Sequence, residues 1–258
     1  MHYETDGGIA TITLAREAAL NAMDRPMRQE LRRALAAAED PTIRAVILTG
    51  AGRAFSVGQD LAELTRDYQA TGPQLARLIY DEWAPLVRAV RELPKPVIAA
   101  VNGTAAGGGL SLALACDVRL GEPRTAFLAA FVNVGLVPDS GAAHMLVRML
   151  GLSRAMALVL RGEPLAAADA ERWGLLADVA PDVETMRARA RAWAERFAAG
   201  PPLAYGAIKR VMHEAADGAF EHVVDAEARL QDVLGRSEDH REAIAAFLEK
   251  RRPTYRGT

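Results

Sequence analysis

The chain has 258 residues, half of them hydrophobic, with a net charge of −2, which suits one large domain or a domain with a helical annex. A pI near 6.2 argues against a nucleic-acid binder, and a single cysteine, Cys116, leaves no disulfide framework and points to a reducing compartment. The start, MHYETDGG, shows no secretory leader and no run of about 18 apolar residues occurs, so a soluble cytoplasmic protein with no membrane span is expected.

In chain order, Ile9–Leu14 alternates as a half-buried strand after a Gly7-Gly8 turn. Asn21, Asp24 and Pro26 signal a helix start. The helix that follows puts Met27, Leu31, Ala34, Leu35 and Ala38 on one face and Arg28, Glu30, Arg32 and Arg33 elsewhere. Ala45–Leu48 reads as a buried strand. Residues 51–60 read as a loop punctuated by Gly52 and Gly58, with Asp60 as the cap of a helix start. The polar stretch 65–72 reads as a mobile loop. Gln74–Leu93 has helical periodicity, with a bend at Trp83 and Pro85. Pro94 and Pro96 then force the chain out of helix.

Pro96–Asp117, PVIAAVNGTAAGGGLSLALACD, is the centre of the reading. Val97–Val101 is an apolar strand buried on both faces. Asn102 and Gly103 break it, Gly107, Gly108 and Gly109 follow, and from Leu110 the pattern turns helical. Bare backbone at a helix start lets a ligand approach closely. The first-turn amides there lack partners inside the helix and stand at the positive end of its dipole. Such a place suits a phosphate, or the oxygen of a thioester becoming an enolate; the plainer reading is a tight bend. The Gly58–Gln59 backbone also follows a buried strand, so amides from the two turns can converge on one oxygen.

Asp117–Leu120 reads as a short strand. Residues 125–137, TAFLAAFVNVGLV, are almost wholly apolar until Pro138-Asp139-Ser140-Gly141 interrupts them. Asp139 reads equally as a helix cap and as a carboxylate beside an apolar wall, where its pKa would rise toward proton-shuttling range. Ser153 starts a helix through Leu160, Pro164–Leu175 forms a short helix, and Val183–Ala199 is a long amphipathic one with a solvated arginine face. Met145, Met149 and Met156 read as core fillers. From Gly200 the chain turns all-helical, with segments 203–216, 219–234 and 238–250, the last capped by Ser237. The five histidines show no metal-ligand spacing, so no metal site is expected.

Three segments together resemble the crotonase (enoyl-CoA hydratase/isomerase) superfamily: AFSVGQDL at 54–61, the central stretch at 96–117, and GLVPDSG at 135–141. The similarity extends to TLAREAALNAM near the start and LEKRRPTYRG at the finish. The resemblance implies an α/β fold: a spiral of ββα units over residues 1–200, then a helical oligomerisation region over 201–258, assembled as a trimer or a dimer of trimers. It also implies an acyl-CoA substrate, with no cofactor beyond the CoA moiety of that substrate. By the match, the amides of Gln59 and Gly108 would form an oxyanion hole. The loop carrying Ser56, Gly58, Asp60 and Leu61, and the segment carrying Ala18, Leu20 and Ala22, would line the CoA, with Gly107 and Phe131 also at the substrate.

Hydratases of this family use two glutamates, and the matching positions here are Ser111 and Phe131. Neither can exchange a proton as a carboxylate does. What remains is Asp139, the position at which several isomerases of the family carry their acid–base carboxylate. The stretch TAFLAAFVNVGLVPDSG is especially similar to the branch that expands the ring of 1,2-epoxyphenylacetyl-CoA in phenylacetate catabolism, which also shifts acyl-CoA double bonds. The expectation is an isomerase with Asp139, Gln59 and Gly108 as its catalytic set. A hydratase or lyase, or a catalytically silent acyl-CoA binder, stands as the alternative.

Overall fold

The structure, a computed structural model, describes residues 1–258. In chain order it runs β1 (His2–Asp6), β2 (Ile9–Leu14), α1 (Arg25–Ala37), β3 (Ala45–Gly50), β4 (Ala54–Ser56), α2 (Leu61–Thr71), α3 (Leu75–Leu78), a π-turn (Ile79–Trp83) and α4 (Ala84–Glu92). It continues with β5 (Val97–Val101), β6 (Thr104–Ala106), α5 (Gly108–Ala115), β7 (Val118–Gly121), β8 (Ala126–Leu128), α6 (Ala142–Arg161), β9 (Leu165–Ala166), α7 (Ala167–Arg172) and β10 (Asp178–Val179). Four helices close the chain: α8 (Val183–Ala198), α9 (Pro202–Asp217), α10 (Phe220–Leu234) and α11 (Glu238–Leu248).

The strands divide between two sheets, of order β1-β2-β3-β5-β7-β10 and β4-β6-β8-β9. Each of the pairs β3–β4, β5–β6 and β7–β8 puts its first strand in the larger sheet and its second in the smaller, and then enters a helix. This repeated advance is a spiral of ββα units. The inner strands β2, β3, β5 and β7 are parallel, and β1 closes one edge antiparallel. Parallel strands covered on both faces need apolar residues at successive positions, which is why AVILTG and VIAAV are continuous runs. One face of the sheet, with Ile9, Ala45, Ile47, Ile98 and Ala100, packs on Met186, Ala190 and Ala194 of α8. The other face, with Val46, Leu48, Val97, Ala99 and Val101, belongs to the main core shared with α1, α4 and α5.

Several expectations change. Residues 65–72 are not a mobile loop but the later part of α2 and its C-cap Gly72; the helix is started by Asp60, whose carboxylate accepts from the amides of Ala62 and Glu63. Short strands β4 and β6 occupy stretches read as loop and turn; three residues are too few to show a period. The exposed edge strand β1 escaped because its residues are polar. Arg28, assigned to the outer face of α1, is 1% exposed, and Met156, assigned to the core, is 48% exposed. α6 begins at Ala142 rather than at Ser153, with a non-helical residue at Gly151. Its length and composition would suffice to cross a membrane, but it buries Met145, Leu146, Leu150, Ala155 and Leu158 in the core. Ser237 caps α11 as read. Cys116 is buried, and desolvation pushes its thiol up to about 12, so it stays an uncharged core side chain.

Candidate active site

The spiral brings two turns into contact. The loop after β4 reaches Gly58, and Gly107 turns the chain from β6 into α5. Gly58 has φ +85°, and a Cβ there would lie 2.7 Å from the Gly108 nitrogen, so only glycine lets the turns touch. The Gly58 carbonyl accepts from the Met23 amide at 2.7 Å, and the Asp60 amide donates to the Met23 carbonyl at 3.3 Å. Gln59 is thereby held between two bonds to the same residue, and its own N–H has no acceptor within the chain. Gly108 opens α5, where the amide has no partner one turn back in the helix.

A cavity of about 400 Å³ lies over these turns, a volume that suits a small organic ligand. Its 19 lining residues include Ala22, Gln59, Leu61, Gly107, Gly108, Phe131 and Asp139, all singled out from the sequence. The apolar wall comes from Leu64, Leu75, Leu78, Ile79, Trp83, Leu128, Val134 and Leu136. Asp139 is the only carboxylate among them, and no histidine or cysteine joins it.

The Asp139 side chain caps no helix: Gly141 is the N-cap of α6, and it is the Asp139 carbonyl that accepts from the Ala142 amide. Burial holds the Asp139 carboxyl above its ordinary value; the adjacent Ser140 hydroxyl pulls the other way but completes no hydrogen bond. Ser111 is fully buried, and its one hydroxyl proton is shared between the backbone carbonyls of Gly107 at 3.4 Å and Asp139 at 3.2 Å.

The remaining sequence candidates stand outside the cavity lining. The buried Ser56 hydroxyl donates to the Asn21 carbonyl at 2.8 Å and accepts from the Gly58 amide at 3.2 Å, so it braces the turn. Asp60 caps α2 and pairs with Arg16 at 2.9 Å; the amide of Glu63, opposed by partial burial and helped by Arg16, holds its carboxyl below the usual range. Ala18 is exposed and Leu20 half-buried, next to the same loop in a short 3₁₀ turn that Leu20 ends with left-handed backbone.

Sequence reading did not find the residues behind Gln59. Arg28, Glu63 and Trp83 hold its side chain, with Glu82 paired to Arg28 behind them, and three of the four are charged residues that periodicity sends to solvent. No local pattern announces them, because Arg28 and Glu63 are buried through each other and through Glu82, far apart in the chain. No group of three or more His, Cys, Asp or Glu side chains is gathered for a metal ion.

The family model for enoyl-CoA hydratase/isomerase matches residues 4–258. A protein of Rhodobacter capsulatus named "probable enoyl-CoA hydratase" is 43% identical over 257 residues, covering 100% of this chain and 98% of its own length. The 1,2-epoxyphenylacetyl-CoA isomerase of Escherichia coli is 40% identical over 251 residues, covering 97% of this chain and 95% of its own. Among solved structures, an enoyl-CoA hydratase from Polaromonas superposes with a TM-score of 0.92 at 32% identity, over 98% of both chains. The spiral of ββα units, the two abutting glycine turns and this likeness along the whole chain converge: the protein belongs to the enoyl-CoA hydratase/isomerase family.

Proposed function

We propose that the protein is an acyl-CoA isomerase that moves a proton along one face of the acyl chain with Asp139 as its only acid–base group. The observation that carries this reading is the single carboxylate among the lining residues of the cavity. The thioester oxygen is taken up by the amides of Gln59 and Gly108. Asp139 removes a proton from C2; the electron pair moves into the thioester, and the negative charge on the oxygen is met by the two N–H groups. Losing one such donor typically raises the barrier by about 3–4 kcal/mol. The double bond then moves from C3–C4 to C2–C3 as Asp139 returns the proton at C4. Atoms balance without water or oxidant, and one base serves both transfers because both carbons lie on one face. CoA enters as part of the substrate.

A second reading within the isomerases, ring expansion of an epoxyphenylacetyl thioester, is favoured by the 40% identity to the Escherichia coli enzyme of that name. A hydratase reading is favoured by the 43% identity to the Rhodobacter capsulatus protein. Against it stand Ser111, whose hydroxyl is committed to two carbonyls, and Phe131, which has no proton to give. Incubation with 3-hexenoyl-CoA and, separately, crotonyl-CoA discriminates them. Isomerisation without comparable hydration is expected; rapid, Asp139-dependent hydration of crotonyl-CoA would overturn the isomerase reading.

A further inference from the structure

The Gln59 side chain has four hydrogen-bonding positions, and all are occupied. Its Oε1 accepts from Arg28 at 3.0 Å and from the Trp83 indole N–H at 2.9 Å. Its Nε2 donates to Glu63 at 3.0 Å and to the Asp60 carbonyl at 3.2 Å. The same indole meets the other turn: a Cβ on Gly108 would come within 2.5 Å of Trp83 Cη2 and 2.7 Å of its Cζ3. Trp83 therefore grips Gln59 with its pyrrole edge and lies against the Gly108 backbone with its benzo ring. It arrives there at the end of the π-turn Ile79–Trp83, a distortion that recurs at functional sites. Arg28 secures the arrangement from behind. It donates at 2.6 Å to the carbonyl of Met23, the residue whose backbone brackets Gln59, and its charge is balanced by Glu63 and Glu82.

We infer that Trp83 is the positioning residue that sets the spacing of the Gln59 and Gly108 amides, with Arg28 locking Gln59 in place. The inference rests on the oxyanion role given to those amides above. Both polar ends of the Gln59 side chain are held while its backbone N–H is left without an acceptor.

The test uses Trp83→Phe, which keeps a ring against Gly108 and removes the N–H, and Trp83→Ala, which removes both. Turnover is followed on 3-hexenoyl-CoA, and the carbonyl stretch is read by difference infrared on bound [1-¹³C]hexanoyl-CoA, a saturated thioester with no double bond to move. In the wild type the stretch is expected below that of the free thioester. In W83F part of that displacement is lost, and kcat falls about tenfold, the scale of a small misplacement in a preorganised site. KM stays within about threefold, because the lost contact acts on the transition state more than on binding. W83A, if folded, loses more of both. A W83F protein with the wild-type carbonyl band and kcat overturns the inference alone. A wild-type band unmoved from free thioester overturns the oxyanion reading and the inference with it.

Discussion

At the residue scale, the proposed proton transfer depends on what surrounds Asp139. Burial holds its carboxyl above its ordinary value, so the base form that the proposed C2 proton removal needs is lost as pH falls through that raised value. The same shift works against stability. The native state binds the proton more tightly than the unfolded chain, so stability falls as pH rises from the ordinary value to the raised one. Two outcomes are expected: kcat/KM on 3-hexenoyl-CoA that declines on the acid side of neutrality, and a melting temperature for Asp139→Asn at pH 7 no lower than that of the wild type. A pH-independent rate down to pH 4, or a large drop in melting temperature, would contradict this account. Asp139 was legible in the sequence as a carboxylate beside an apolar wall; whether it capped a helix or faced a cavity was not, because a turn aspartate looks the same in both roles. Arg28 and Glu63 were not legible, since their burial depends on partners about 35 and 54 positions apart in the chain.

At the element scale, runs with a clear period were readable and short pieces were not. β3, β5 and α8 follow directly from apolar runs and helical stripes. β4 and β6 exist because the smaller sheet gives them partners, which no local pattern announces. The start of α2 was legible at Asp60, but its run to Thr71 was not, because its outward face is polar. The C-terminal helices are tied to the spiral by Lys209 of α9, whose ammonium donates to Asp117 at 2.9 Å and to the Val90 carbonyl at 2.8 Å. Replacing Lys209 with Met leaves Asp117 without its cation. Because the Asp117 side chain keeps 22% of its surface open to water, the expected loss is about 2–3 kcal/mol, below that of a fully buried pair. Denaturant unfolding of Lys209→Met checks this, and an unchanged midpoint would show that the tie carries no stability.

At the scale of the whole molecule, the ββα spiral explains why residues from 22 to 139 meet at one cavity: each turn of the spiral delivers a loop to the same end. The closing helices leave Leu203, Ile208 and Met212 of α9, Phe220 and Val233 of α10, and Phe247 and Leu248 of α11 exposed. We propose that these side chains pack against further copies of the chain, as the family resemblance implies. Sedimentation equilibrium is expected to return the mass of a trimer or hexamer; a monomer at micromolar concentration would remove the proposal.

In the proposed reaction one carboxylate carries the proton while two backbone amides hold the charge. The measurement that meets it most directly is the turnover of 3-hexenoyl-CoA by Asp139→Asn with acyl-CoA affinity followed in parallel. A fall in kcat of at least about a hundredfold, the scale of a lost general base, is expected, with affinity nearly unchanged. Wild-type turnover by the folded variant would contradict it.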